Sequence, residues 1–311
     1  MAEQLASFDF YSEYHGHRIP HLETVHAHLL EERGERFFMY LLGDSSLDNK
    51  HWIAKTVGAV NGYERVLHPP TSRPDVAYHL NAIPAAAERS ITINAAIEES
   101  RVGQRVGWFR TELMPQDVFV RDRLTPDDVL VVSVGGNDIA LAPTPATIWN
   151  MLWLLRMNTT ETLKYALEHG VNWASPRFWC ASHFVGLFRD KIASYLRNVT
   201  EKTKPRLIVV GMIYFPDEKA TGSWADRTLA ALGYGADPEK LQTLIRIIYR
   251  EATSKIRIRG TTVVPVAFFD VMDGKDTRQY VDRVEPSDSG GQAMAGLIWR
   301  AVQENYATGS S

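Results

Sequence analysis

A run of six apolar residues, Phe37–Leu42, stops abruptly at Gly43-Asp44-Ser45. An apolar run of that length closed by a turn signal predicts a strand buried on both faces. Four more short strands are predicted near 91–94, 129–134, 206–214 and 261–268, with amphipathic stretches between them. Strands alternating with helices predict an α/β fold, a doubly wound five-stranded parallel sheet with helices on both faces. Ligands of such sheets bind at the C-terminal strand ends, which makes Ser45 a candidate site residue.

Between the strands, helices are predicted over Leu22–Arg36 with Leu29, Leu30 and Phe37 packing inward, and over His51–Val60 up to the Asn61-Gly62 stop signal. Asp237-Pro238 starts a helix running to about Ile258, and Ser289–Gln303 forms the last one. Arg101–Arg110 and Pro115–Arg123 are expected to be helical or irregular. Residues 63–84, with Pro69, Pro70, Pro74 and Pro84, are expected to form an irregular loop over the site's edge. About 142–204 lies a Trp-rich helical insert with Trp149, Trp153, Trp173 and Trp179. Its side chains suit an ordinary core beneath covering helices, or a wall for a lipid chain. No internal repeat divides the chain, so the expected organisation is an N-terminal extension over 1–36 and one α/β domain over 37–311.

A net charge of −3 supplies no electrostatic footprint for nucleic acid. The single cysteine, Cys180, excludes an internal disulfide. The N-terminus lacks the basic and apolar regions of a signal peptide, and the longest apolar clusters are too short to span a bilayer, so a cytoplasmic protein without a transmembrane segment is expected. Five of the ten histidines fall before residue 37, but His26 and His28 are two apart and would face different sides of a helix. No metal and no cofactor are expected, and neither nucleotide-binding glycine motif is present. Oligomeric state is not legible.

Gly43-Asp44-Ser45-Ser46-Leu47 resembles the first block of the GDSL (SGNH) hydrolases, with Ser45 at the nucleophile position. Gly135-Gly136-Asn137-Asp138, after the third predicted strand, resembles the family's Gly-x-Asn-Asp block. The resemblance implies the flavodoxin-like strand order 2-1-3-4-5 and a serine esterase acting on a small-molecule ester, a lipid or an acylated sugar. It also implies an oxyanion hole made by the Ser45 N–H, the Asn137 side chain and a backbone donor within Ala96–Ser100. There the family's second-block glycine is absent, with Glu98, Glu99 or Ser100 at the equivalent point. Asp44 and Asp138 are expected to tie down the two strand-tip loops.

The family's final Asp-x-x-His-Pro block has Asp282-Arg283-Val284-Glu285-Pro286 as its counterpart, with glutamate where the base should stand. An ordinary glutamate near pKa 4.3 is a weak base and is seldom protonated at pH 7. Asp282 and Glu285 as neighbours would share a proton and raise one pKa, giving a Ser-Asp-Glu site (Ser45, Asn137, Asp282 and Glu285) that works best at acid pH. Two alternatives stay open: a histidine from elsewhere supplies the base, His183 first and His51 or His79 behind it, or hydrolysis is lost and the pocket binds an acylated or glycosylated ligand.

Overall fold

Every residue of Phe37–Gly43 (β1) is buried, because the strand lies inside a sheet covered on both sides. The computed structural model describes residues 4–105 and 112–307; residues 106–110 of the Arg101–Arg110 expectation lie outside them. Ser90–Asn94 (β2), Val129–Ser133 (β3), Leu207–Met212 (β4) and Thr262–Ala267 (β5) join β1 in one parallel sheet. The order β2-β1-β3-β4-β5 is the expected 2-1-3-4-5.

The longer helices are Ile19–Glu32 (α1), Val76–Ala82 (α2), Pro115–Arg123 (α3), Pro145–Met157 (α4), Thr160–His169 (α5), Ile192–Val199 (α6), Pro238–Glu251 (α7) and Asp288–Asn305 (α8). Strand side chains alternate between faces, and two cores result. Phe38, Tyr40 and Leu42 pack in one cluster with Leu22 and Leu29 of α1, Phe119 of α3 and Leu244 of α7. Met39 and Leu41 pack in the other with Leu80 of α2 and Ile298 of α8. No helix among the described residues is long and apolar enough to cross a membrane.

The first 36 residues contribute to this core. Leu5–Ala6 pairs in parallel with Leu67–His68, and Phe10, Leu22, Val25 and Leu29 are buried against β1 side chains. Leu30, expected inward, is half exposed, because the stripe 22, 25, 29 follows the helical period and Leu30 falls outside it.

Two expectations fail locally. The helix predicted over His51–Val60 is a single 3₁₀ turn, Asn49–Trp52, followed by extended chain in which Val57 pairs with Ser72. Asn49 explains the difference: its Nδ2 donates to Pro286 O and its Oδ1 accepts from Val76 N, so the segment is pinned from both sides. The loop predicted over 63–84 contains α2, capped by Asp75, whose Oδ1 accepts from Tyr78 N at 2.7 Å. That cap was a start signal masked by the surrounding prolines.

Gly43 sets the exit of β1. Its φ is +144°, and a Cβ there would fall on the carbonyl of Ser133. Gly43→Ala is therefore expected to destabilise the fold by roughly 3 kcal/mol from overpacking and backbone strain together. Urea unfolding of the variant beside Gly34→Ala, an open position, checks whether the effect belongs to this contact.

Candidate active site

Beyond Gly43 the chain presents Asp44, Ser45 and Ser46 beside the tip of β3. Asp44 joins the two tips: Oδ1 accepts from Ser46 N at 3.2 Å, and Oδ2 accepts from Gly135 N at 3.1 Å. Burial pushes its carboxyl up to about 6 against these bonds. Asp138 holds the next loop, accepting from Val102 N at 2.8 Å and Gly103 N at 3.0 Å. Both aspartates are engaged by main-chain N–H groups, as a loop-tying role requires.

Ser45 faces Glu285, whose Oε2 is buried without a hydrogen-bond partner among the described residues. Glu285 arrives on a hairpin of Tyr280–Asp282 and Glu285–Pro286 whose main chain is gripped on either side of it. Tyr214 Oη donates to Val284 O at 2.7 Å, and Asn49 Nδ2 donates to Pro286 O at 3.1 Å. Arg283, buried, bonds Asp226 and the Asp217 carbonyl, each at 2.9 Å.

Asp282 is the Cα partner of Glu285 across this hairpin, but it is half-buried and its Oδ1 accepts from Arg283 N at 2.6 Å. The main charged neighbour of Glu285 is Glu98. Burial first, and Glu98 next, hold the Glu285 carboxyl well above the usual range; the nearby Ser45 hydroxyl opposes them, and Asp44 and Asp282 add less.

Glu98 is a residue whose side chain sequence reasoning missed. It is 2% exposed; one oxygen accepts from Trp52 Nε1, and the other is buried without a partner among the described residues. Burial, then the nearby Asp48 carboxylate, push it up to about 8. Lys50 does not neutralise the pair, because its Nζ is held by Asp48 at 2.6 and 2.7 Å, both side chains fully buried. The available signal was a glutamate directly after the apolar stretch ending at Ile97, where a charge is seldom buried without a reason.

The oxyanion donors implied by the resemblance meet a carbonyl. Ser45 N donates to Glu98 O at 3.0 Å, and Asn137 Nδ2 donates to the same oxygen at 2.7 Å and to Ser100 O at 3.1 Å. Residues 97–100 form a β-turn closed by Ser100 N to Ile97 O, and neither Glu98 nor Glu99 has positive φ. A type II turn, which needs positive φ at its third residue, is thereby excluded. Ser100 Oγ fixes the turn by donating to Gly43 O at 2.5 Å, and Arg105 Nη1 donates to that Oγ at 2.7 Å.

The alternative histidines are engaged elsewhere. His183 Nε2 lies 3.0 Å from Thr147 Oγ1, His79 Nε2 lies 2.9 Å from Asp288 Oδ1, and His51 sits edge-on to the Tyr14 and Trp52 rings. Among the described residues no group of three or more His, Cys, Asp or Glu could hold a metal ion.

Beside Ser45 opens an apolar pocket of about 960 Å³, counted with its mouth. Met151 of α4 and Phe188 bring the insert to its wall, and Leu241, Leu244 and Ile248 of α7 complete it. The apolar face of α7, legible as a helix face, thus lines a cavity as well as a core.

No family model matches the sequence, and no curated protein matches it. Similar solved structures include a carbohydrate esterase family 3 from Talaromyces cellulolyticus, at 11% identity, 88% of this chain, 99% of that one and TM-score 0.40. A lipase/acylhydrolase from Enterococcus faecalis matches at 14% identity, 86% and 96% coverage and TM-score 0.42. A phospholipase A1 from Streptomyces albidoflavus NA297 matches at 14% identity, 87% and 99% coverage and TM-score 0.43. At these scores, function rests on the site's own geometry.

The raised Glu98 pKa has a stability consequence with a definite sign. The folded state holds this proton from the ordinary 4.5 up to about 8, so the group's contribution is fully present below pH 4.5 and is lost as pH rises toward 8. Glu98→Gln keeps an acceptor for Trp52 and cannot ionise. Its melting temperature relative to wild type should rise between pH 5 and pH 8, by a shift equivalent to on the order of 3 kcal/mol; a gap independent of pH would contradict the buried, proton-holding carboxyl.

Proposed function

We propose that this protein is an SGNH-type serine esterase whose apolar pocket takes the acyl chain of an ester substrate. The observation that carries this reading is the placing of Ser45 next to the buried, unpartnered Glu285 carboxyl and on the wall of an apolar pocket. Ser45 Oγ attacks the ester carbonyl and its proton passes to Glu285, which returns it to the departing alkoxide. Water then enters by the reverse sequence and releases the acid. Asp282 lies beside this pair without holding Glu285 by a hydrogen bond, so Glu98 is the carboxyl that tunes it.

The sign of the pH dependence follows. Glu285 accepts a proton only when ionised, and burial beside Glu98 raises its pKa, so the rate should rise with pH from 5 toward 8. This reverses the acid optimum expected from an isolated Asp282–Glu285 pair. Hydrolysis of p-nitrophenyl esters checks it: Ser45→Ala should abolish turnover, Glu285→Gln should lower kcat by about 10²-fold or more, and kcat/KM should increase from acetate to octanoate as methylenes enter the pocket, each contributing about 0.8 kcal/mol. A flat chain-length series together with activity in Ser45→Ala would sink the proposal.

The Glu98 carbonyl favours a second reading, ligand binding without turnover, because it occupies the donors that a developing oxyanion needs. The two readings meet at one peptide plane. Turning the 98–99 peptide would replace the carbonyl by the Glu99 N–H and convert the turn to type II, which puts the third residue at positive φ. An L-residue there costs about 1–2 kcal/mol, and glycine does not. Glu99→Gly should therefore raise kcat by about tenfold with little change in KM. If it leaves an inactive protein inactive while a fatty acid still binds, the protein is a binder.

A further inference from the structure

Among the described residues, eleven large hydrophobic side chains are at least 40% exposed, and eight of them fall between 141 and 224. The helix α4 concentrates the effect. Its inner face, Met151, Leu154 and Leu155, is buried, while its outer face carries Ile148 and Trp149 exposed and Leu152 and Trp153 half-buried. A helix apolar on both faces has two surfaces to remove from water, and the fold covers only one.

The outer face is joined to the neighbouring turn. The Trp149 ring lies 6.3 Å from that of Trp153, whose Nε1 donates to Pro176 O at 3.2 Å, in the short turn that leads to Trp179, 61% exposed. At the pocket itself the exposed apolar side chains continue: Ile139 and Ala140 line it, Leu141 follows them into solvent, and Trp224 both lines the pocket and is 40% exposed. The segments that carry Trp149, Trp153 and Trp179 hold no counter-charge: 141–160 and 171–188 contain Arg156 and Arg177, both exposed, and no Asp or Glu.

We infer that this face seats the protein on an anionic lipid surface, with the pocket mouth against the lipid. Tryptophan favours the boundary between hydrocarbon and headgroups, and basic residues beside it add attraction to anionic headgroups. A second copy of this chain is a poorer occupant, since a two-fold contact would set Arg156 and Arg177 against like charges. The delivery of an acyl chain from that surface to Ser45 rests on the esterase reading above; the docking itself does not.

The test uses Ser45→Ala protein, so that binding is read without hydrolysis, co-sedimented with vesicles of phosphatidylglycerol and phosphatidylcholine and with phosphatidylcholine alone. Binding should prefer the anionic vesicles, weaken with added salt, and fall about tenfold or more when Trp149→Ser and Trp179→Ser are combined. The same pair of substitutions in the Ser45 protein should leave the melting temperature and the hydrolysis of soluble p-nitrophenyl acetate unchanged. Absence of vesicle binding, or equal binding by the tryptophan variant, overturns the inference even if the enzyme is active. A dimer that these substitutions dissolve overturns it too, assigning the face to a second copy. Vesicle binding without any esterase activity in the wild type supports the docking and removes the catalytic proposal alone.

Discussion

The carbonyl oxygen of Glu98 is the point at which three chain segments are locked together. It receives the Ser45 N–H from the tip of β1 and the Asn137 amide from the loop after β3, while its own turn follows β2. Without it, two buried donors would be left unpaired, at about 1–3 kcal/mol each. Those donors have the geometry and chemistry that would hold an oxyanion. In the proposed esterase, loop cohesion and transition-state stabilisation would draw on the same N–H groups, and only one of the two could have them at a time.

The electrostatics around this lock are governed by burial more than by pairing. Asp44, Glu98 and Glu285 are all raised, desolvation being the largest cause for each. The nearest buried cation, Lys50, is committed to Asp48. Burial there works against ionisation, most clearly at Glu98, which it pushes up to about 8, and a Glu285 carboxyl raised by the same cause would return a proton more readily than a free glutamate does.

The sheet was legible in the sequence because each strand is a short apolar run closed by a turn signal; Ser45 was legible because it stands just past such an end, and Glu285 only as the counterpart of a block in the resembled family. What escaped was set by contacts distant in sequence. The His51–Val60 segment has helical spacing, but Asn49 just before it is held by Pro286 and Val76. α2 is only seven residues long and lies among prolines. The partnership of Glu98 with Glu285 depends on two side chains of different loops burying together, which no local pattern encodes. The turn at 97–100 shows the same limit: the missing glycine was visible, and the direction in which the peptide then faces was not.

The hairpin that carries Glu285 is secured through its backbone. Tyr214 and Asn49 hold the carbonyls before and after it, and Arg283 bolts the strand to Asp217 and Asp226. Position 285 is consequently a socket: the frame that aims it at Ser45 does not depend on which residue fills it. Descent could exchange the occupant in a single step, altering the reactivity of the protein while leaving its architecture untouched, and a glutamate where histidine stands in the resembled family is the kind of replacement such a frame would tolerate.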